Sequence, residues 1–301
     1  MNKILVPLPK YENIDFYLEH EIDGFIMGIK NYSENFNNLV ESKKIKKYCK
    51  HVLEKNKELY ISLNKSYYNS EMESLKKLLV FLDKLNITGV IFIDLSILNI
   101  IEENNLNLNP IFDGKHLSTN SKTINFLEKR GVNGVFLSNE ITTDEKINIL
   151  NKINVKTYIA LFGFTNVAIS SRKLISNYFK YCNIDRSVKD YYYIKEKTKD
   201  DLYPIMESDN TSFYSSKIFN GLIEFSKIMK NGGSDYIFLN DYKIEDSSFY
   251  NVIEAFIAAR NFPDDEEFIN KLSKVVESNC FNKTDEGFSN KETIFKVKNY
   301  E

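Results

Sequence analysis

The sequence predicts an α/β protein with a TIM-like (β/α)8 barrel, an insertion between strands seven and eight, and a short C-terminal extension. Three observations carry this expectation. Eight short apolar runs alternate with stretches of helical periodicity. The runs are continuously apolar rather than alternating, as strands covered on both faces are. The rhythm breaks once, over residues 163–235, an interval far longer than a single helix needs.

The strand candidates are residues 3–7, 24–29, 59–63, 89–94, 110–114, 134–137, 156–162 and 236–239. Between them, residues 71–85 carry Met72, Leu75, Leu78, Leu79 and Leu82 at three- and four-residue spacing, the stripe of an amphipathic helix. Ser70 is its expected N-cap, with Glu71 and Glu73 in the first turn. A helix over 121–129 ends at Gly131, where a left-handed C-cap suits glycine. Thr142 or Thr143 caps a helix over 144–152, and a helix over 219–229 ends at Gly232 and Gly233. In the long interval, 190–195 and 202–207 can pair as a hairpin, giving an insertion of about 183–215 on the top face. The barrel is expected over 1–263. The extension, 264–301, holds a helix over 266–277 and a strand-like piece over 293–297.

Composition narrows the function classes. The 301 residues are 43% hydrophobic and 27% charged, ordinary for a globular protein. No apolar run approaches 18 residues, so no membrane association is expected. The N-terminus lacks the apolar segment and cleavage site of a secretory signal, which points to the cytoplasm. A formal net charge of −2 gives no whole-protein field for nucleic acid. Asparagine is abundant and tryptophan absent, the mark of an AT-rich genome, and this weakens asparagine as a cap or turn signal. Cys49, Cys182 and Cys280 are far apart and form no metal-binding spacing.

The C-terminal ends of the strands are where such barrels place their sites. They offer Asn64, Asp94, His116 with Ser118 and Thr119, Asn139 with Glu140, Gly163 with Asn166, and Asn240 with Asp241. Asp94, His116 and Glu140 form a candidate catalytic ring, suited to acid/base work or to one divalent metal. Asn64, Ser118, Thr119 and Asn139 are candidate substrate contacts. The competing reading is structural, since Ser118–Asn120 equally suit a helix cap. His20 and His51 read as structural residues within helices.

No nucleophile elbow, zinc-protease motif, phosphate loop or dinucleotide fingerprint occurs. Two basic stretches with nearby aromatics are candidate RNA contacts. One holds Lys46 and Lys47; the other holds Arg186, Tyr192 and Lys195. Interleaved acids, Glu41, Glu54, Asp190 and Glu196, favour a solvated helix face for the first and hairpin packing for the second.

Several segments together resemble the collagenase-like peptidase family U32. Ile4-Leu5-Val6-Pro7 and Asp23-Gly24-Phe25-Ile26-Met27-Gly28 are similar to its opening strands. His116-Leu117-Ser118-Thr119-Asn120 and Leu137-Ser138-Asn139-Glu140-Ile141 are similar to its fifth and sixth strand ends. Ile159-Ala160-Leu161-Phe162-Gly163, Arg172-Lys173-Leu174-Ile175-Ser176, Ser234-Asp235-Tyr236-Ile237-Phe238-Leu239 and Gly287-Phe288 extend the resemblance over nearly the whole chain.

The resemblance implies a TIM-like barrel and either proteolysis or RNA and quinone hydroxylation. It also marks Arg172 and Lys173 as substrate contacts. The short Firmicute branch, linked to prephenate-dependent 5-hydroxyuridine formation at the tRNA wobble position, is the most similar. Asn166 and Lys173 stand where the family has cysteines, Phe162 where it has histidine, and Asn139 where it has arginine. The resemblance therefore implies an accessory, cluster-free chain with no cofactor of its own. It would be catalytically degenerate, with a longer paralogous partner and tRNA as its associates. A collagenase-like peptidase using a metal on His116, Glu140 and Asp94 is the alternative, and a purely non-catalytic barrel partner a third.

Overall fold

A computed structural model describes residues 2–185, 192–195, 197, 200–208, 210–280 and 283–291. Eight parallel strands close a barrel in the order β1 (Lys3–Pro7), β2 (Gly24–Ile29), β4 (Glu58–Leu63), β5 (Gly89–Phe92), β6 (Pro110–Phe112), β7 (Gly134–Phe136), β8 (Lys156–Ser170) and β12 (Tyr236–Leu239), which returns to β1. A two-residue strand, β3 (Leu39–Val40), adds to the end of β2. Helices α1 (Ile14–Leu18), α2 (Ile45–Glu54), α3 (Met72–Leu82), α4 (Ser96–Glu103), α5 (Ser121–Glu128) and α6 (Thr143–Leu150) follow successive barrel strands.

The sequence explains these elements locally. Thr142 caps α6 by accepting from the Glu145 N–H, and Glu145 reaches back to the Thr142 N–H, a capping box that satisfies two otherwise orphaned donors. Asn120 caps α5 by accepting from Thr123 N. Ser70 does not cap α3. It lies inside a 3-10 turn, Asn69–Glu71, that Glu71 closes onto the Tyr68 N–H. His20 sits in the turn just after α1 rather than within a helix.

Period-two alternation along each strand divides the apolar side chains into two layers. Leu5, Ile26, Tyr60, Ile91, Ile111, Phe136, Tyr158 and Tyr236 fill the barrel interior. Their neighbours Ile4, Val6, Phe25, Met27, Ile61, Val90, Val135, Ile159 and Ile237 pack outward under the helices. Each such fully buried side chain contributes about 1.5–3 kcal/mol. At the N-terminal end, Glu58 pairs with Lys3 and accepts from Tyr60 Oη at 2.8 Å. Tyr158 Oη donates to Tyr60 Oη at 3.3 Å, and the Tyr158 and Tyr236 rings stack 4.5 Å apart. Burial pushes the Tyr60 and Tyr158 hydroxyls well above the ordinary tyrosine range, so this floor is neutral.

The seventh barrel strand is longer than its sequence pattern suggests. β8 runs on past Phe162 to Ser170 and pairs antiparallel with β11 (Thr211–Asn220). α7 (Leu174–Cys182), β9 (Tyr192–Lys195) and β10 (Leu202–Glu207) lie between them in sequence, and β9 pairs antiparallel with β10 as the expected hairpin does. Of the expected hairpin, residues 190, 191, 196, 198 and 199 lie outside the described residues. Residues 219–220 end β11 instead of starting a helix, which begins at Leu222 as α8 (Leu222–Lys230). α9 (Asp246–Asn261) closes the helical ring, and α10 (Glu266–Asn279) packs against α8 and α9. The last strand, β13 (Thr284–Asp285), pairs parallel with β11. The strand-like piece expected over 293–297 lies outside the described residues.

Candidate active site

A cavity of about 140 Å³ opens among the C-terminal ends of the barrel strands. Its floor and walls include Ile26, Ile91, Phe136, Phe162 and Phe238 from the strands. The loop after β2 lays Phe36 over Gly28, where a Cβ would come within 2.7 Å of that ring, so glycine is what lets Phe36 close one side. Gly163, at φ +121°, brings β8 against the Asn240 carbonyl and makes the turn between the barrel and its antiparallel extension.

His116 and Glu140, from the ends of neighbouring strands, both line the cavity and meet there: His116 Nδ1 lies 2.8 Å from Glu140 Oε1. Both are about half exposed, at 49% and 41%. A carboxylate accepting from Nδ1–H fixes the ring tautomer and leaves the lone pair on Nε2, which has no hydrogen-bond partner among the described residues. Such a dyad can take a proton from a hydroxyl, a water or a polarised C–H in reach. Asp113 and Lys115, also lining the cavity, form a second ion pair. Lys115 holds φ +50°, which turns the chain sharply before His116.

Asp94 does not join this pair. Its two oxygens accept from Tyr67 N at 2.9 Å and Ser96 N at 3.0 Å, tying the end of β5 to the neighbouring loop. Burial raises the Asp94 pKa, but those hydrogen bonds outweigh it and hold the carboxyl below its ordinary value. The expected ring of three is therefore a pair. Among the described residues, no group of three His, Cys, Asp or Glu is placed to hold a metal. The three thiols do not fit a four-thiolate cluster either: Cys49 and Cys280 are buried on α2 and after α10, and Cys182 ends α7. Burial pushes the Cys49 thiol up to about 12 and the Cys280 thiol to about 11, so neither is a ready thiolate.

The other expected residues divide. Asn64 lines the cavity but spends both ends of its amide on the Glu34 backbone, at 2.8 and 2.9 Å. Asn139 lines it with its Oδ1 toward Lys146. Ser118 is fully buried, its carbonyl accepting from Ser138 N, and neither it nor Thr119 lines the cavity. Arg172 and Lys173 are exposed beyond β8, away from the lining. Lys46 is exposed on α2, and Lys47 sits 3.6 Å from the centre of the Tyr11 ring. Tyr192 packs on Phe179, and Lys195 pairs with Asp200 at 2.9 Å. Arg186 lies outside the described residues.

Sequence reasoning missed Asn35, Lys115 and Tyr214, which line the cavity from two loops and from β11. The Asp-Gly-Lys turn before His116 was a usable signal for Lys115, whereas Tyr214 arrives through pairing of distant segments. The buried Lys146–Glu224 pair, 2.5 Å apart, was likewise unsignalled. Glu224 also accepts from Ser289, and the Ser289 carbonyl accepts from Thr143 N at 3.0 Å.

The fold and this mouth define a (β/α)8-barrel protein with a polar pocket at the C-terminal ends of its strands. The profile of peptidase family U32 matches residues 9–292, and the chain belongs to that family. The structure of the U32 peptidase Mk0906 is similar at a TM-score of 0.52 with 12% identity, covering 80% of this chain and 92% of that one. A dihydrodipicolinate synthase gives a TM-score of 0.49 with 11% identity, covering 91% of this chain and 80% of that chain. Tryptophan synthase from M. tuberculosis gives 0.44 with 8% identity, covering 93% of each chain. No curated protein matches the chain.

Proposed function

We propose that this chain is an accessory subunit in prephenate-dependent hydroxylation of the tRNA wobble uridine, acting in the cytoplasm beside a longer, cysteine-bearing member of its family. The observation that carries a working site is the His116–Glu140 contact inside the cavity, a proton acceptor held in one tautomer. The similarity of the short-branch segments supports the RNA reading. The departure of the cysteine positions supports a supporting role, in which redox chemistry belongs to the longer partner. Lys46, Lys47 and Lys195 would then face RNA from the surface. Mass spectrometry of tRNA nucleosides from a deletion strain tests the reading, and unchanged 5-hydroxyuridine derivatives would remove it.

The same dyad favours a second reading, hydrolysis of a peptide by a water activated at His116, in keeping with the family's name. Gelatin cleavage by purified protein, lost in His116→Gln, would support it. A third reading, a non-catalytic barrel partner, predicts that His116→Gln retains the longer relative's activity while deletion of the chain abolishes it.

A further inference from the structure

A second histidine relay lies on the flank of the barrel, between α1 and α2. Tyr11 opens the 3-10 turn Tyr11–Asn13, Asp15 stands in the first turn of α1, and His51 stands in the last turn of α2. None of the three lines the cavity. His51 Nε2 lies 2.8 Å from Asp15 Oδ1, and His51 Nδ1 lies 3.2 Å from Tyr11 Oη. A carboxylate oxygen can only accept, so the ring proton sits on Nε2 and Nδ1 keeps its lone pair. The Tyr11 hydroxyl therefore donates to Nδ1. Hydroxyl, imidazole and carboxylate stand in the order that joins a nucleophile to its base and the base to an orienting group. Lys47 Nζ lies 3.6 Å from the centre of the Tyr11 ring, a cation against the ring that gathers negative charge as the hydroxyl loses its proton. Tyr11 and His51 are partly exposed and Asp15 is exposed, so a reagent in solvent can approach the group.

From this geometry we propose that Tyr11 is a nucleophile that accepts the acyl group of an activated ester, with His51 as its general base and Asp15 as a positioning residue. In the step, Tyr11 Oη bonds to the acyl carbon, and the bond from that carbon to the leaving oxygen breaks. The hydroxyl proton passes to His51 Nδ1, and the leaving group departs with the electron pair of the broken bond. His51 then returns the proton to solvent, and the product is an ester at Tyr11. The proposal stands apart from the reading of the cavity, because His116 and Glu140 take no part in it.

The test is acetylation of the full chain by p-nitrophenyl acetate near neutral pH, with sites and rates read by peptide mass spectrometry. Tyr181 is the internal reference, 87% exposed and with no hydrogen-bond partner for its hydroxyl among the described residues. Tyr11 is expected to react at least about tenfold faster than Tyr181 despite its lower exposure, since a general base contributes about 10²–10⁴-fold. His51→Gln keeps a donor and an acceptor but no base. It is expected to bring Tyr11 down to about the Tyr181 rate, with Tyr181 and the thermal midpoint unchanged. Asp15→Asn is expected to slow Tyr11 and Asp15→Glu to restore it, which a residue needed only for packing would not do. Equal rates at Tyr11 and Tyr181, acetylation of Lys47 in place of Tyr11, or an unaltered Tyr11 rate in folded His51→Gln would each overturn the proposal. The comparison of Tyr11 with Tyr181 is made in the wild-type chain, so it decides the matter even where a variant fails to fold.

Discussion

Lys146 and Glu224 hold an ion pair 2.5 Å long inside the protein, each side chain 1% exposed, where α6 meets α8. The pair sits between the cavity and the turn that carries Ser289. Lys146 reaches Asn139 on one side, and Glu224 accepts from Ser289 on the other. A buried charge stays charged only while its partner remains. Lys146→Met is therefore expected to cost about 3–5 kcal/mol, and the double variant Lys146→Met/Glu224→Leu appreciably less, since no lone charge is left behind. Urea denaturation of the three proteins measures this. A double variant as unstable as the single one would show that the pair is not the cause.

His116→Gln removes the proton acceptor of the dyad, and Glu140→Gln removes the charge that orients it. General-base contributions of this kind run to about 10²–10⁴-fold. On the hydroxylation reading with a working dyad, wobble 5-hydroxyuridine in a deletion strain complemented with either variant is expected to fall to the level of the deletion. Restoration by both variants would show that the site does no proton transfer.

Asp241 carries a pH dependence. It is 5% exposed, and its Oδ1 has no hydrogen-bond partner among the described residues. Burial raises its pKa to about 7, with Asp246 adding to the shift and Asn37 opposing it. Around it stand Tyr17 from α1, Asp246 and Tyr250 from α9, and Asn37 from the loop before β3. The folded state holds this proton where an unfolded carboxyl, with a pKa near 4, has lost it. Its contribution is therefore complete below about pH 4 and is lost as pH rises through about 7, for a total of at most about 4 kcal/mol. Asp241→Asn is expected to flatten the pH–stability curve between pH 5 and 8 and to make the protein more stable than wild type at pH 8. Thermal midpoints across that range decide it, and parallel curves for the two proteins would refute the assignment.

Gly163→Ala tests the turn of β8. A Cβ there would stand 2.7 Å from the Asn240 carbonyl oxygen, at a φ of +121°. The change is expected to cost about 1–3 kcal/mol. Gly131→Ala, also at positive φ but with nothing within 4 Å of the new Cβ, is expected to cost less. Equal losses in chemical denaturation would mean that backbone conformation, and not the close approach to Asn240, sets the penalty.

The barrel was legible because burial on both faces writes itself as continuous apolar runs. β1, β2 and β12 lie where the pattern places them. The extension of β8 was not, because residues 163–170 lose the apolar run as they leave the barrel, and their pairing with β11 spans a long stretch of sequence. His116 and Glu140 were found through their position at strand ends, a rule about backbone direction. Asp94 obeyed the same rule and went elsewhere, because two backbone N–H groups reached its oxygens first. The asparagine rim was hidden by composition. In a chain so rich in asparagine, Asn35, Asn139, Asn166 and Asn240 do not stand out by residue type, and only the fold brings them to one cavity.

The stacked tyrosines at the foot of the barrel, Tyr158 on Tyr236 with Tyr60 bonded between Tyr158 and Glu58, make the pocket a blind alley. Whatever enters at the strand ends must back out the same way. A polymer can offer only a protruding group, never thread through, and a product that lingers occupies the path its successor needs. For a substrate turned over in this pocket, inhibition by its product is expected to be competitive.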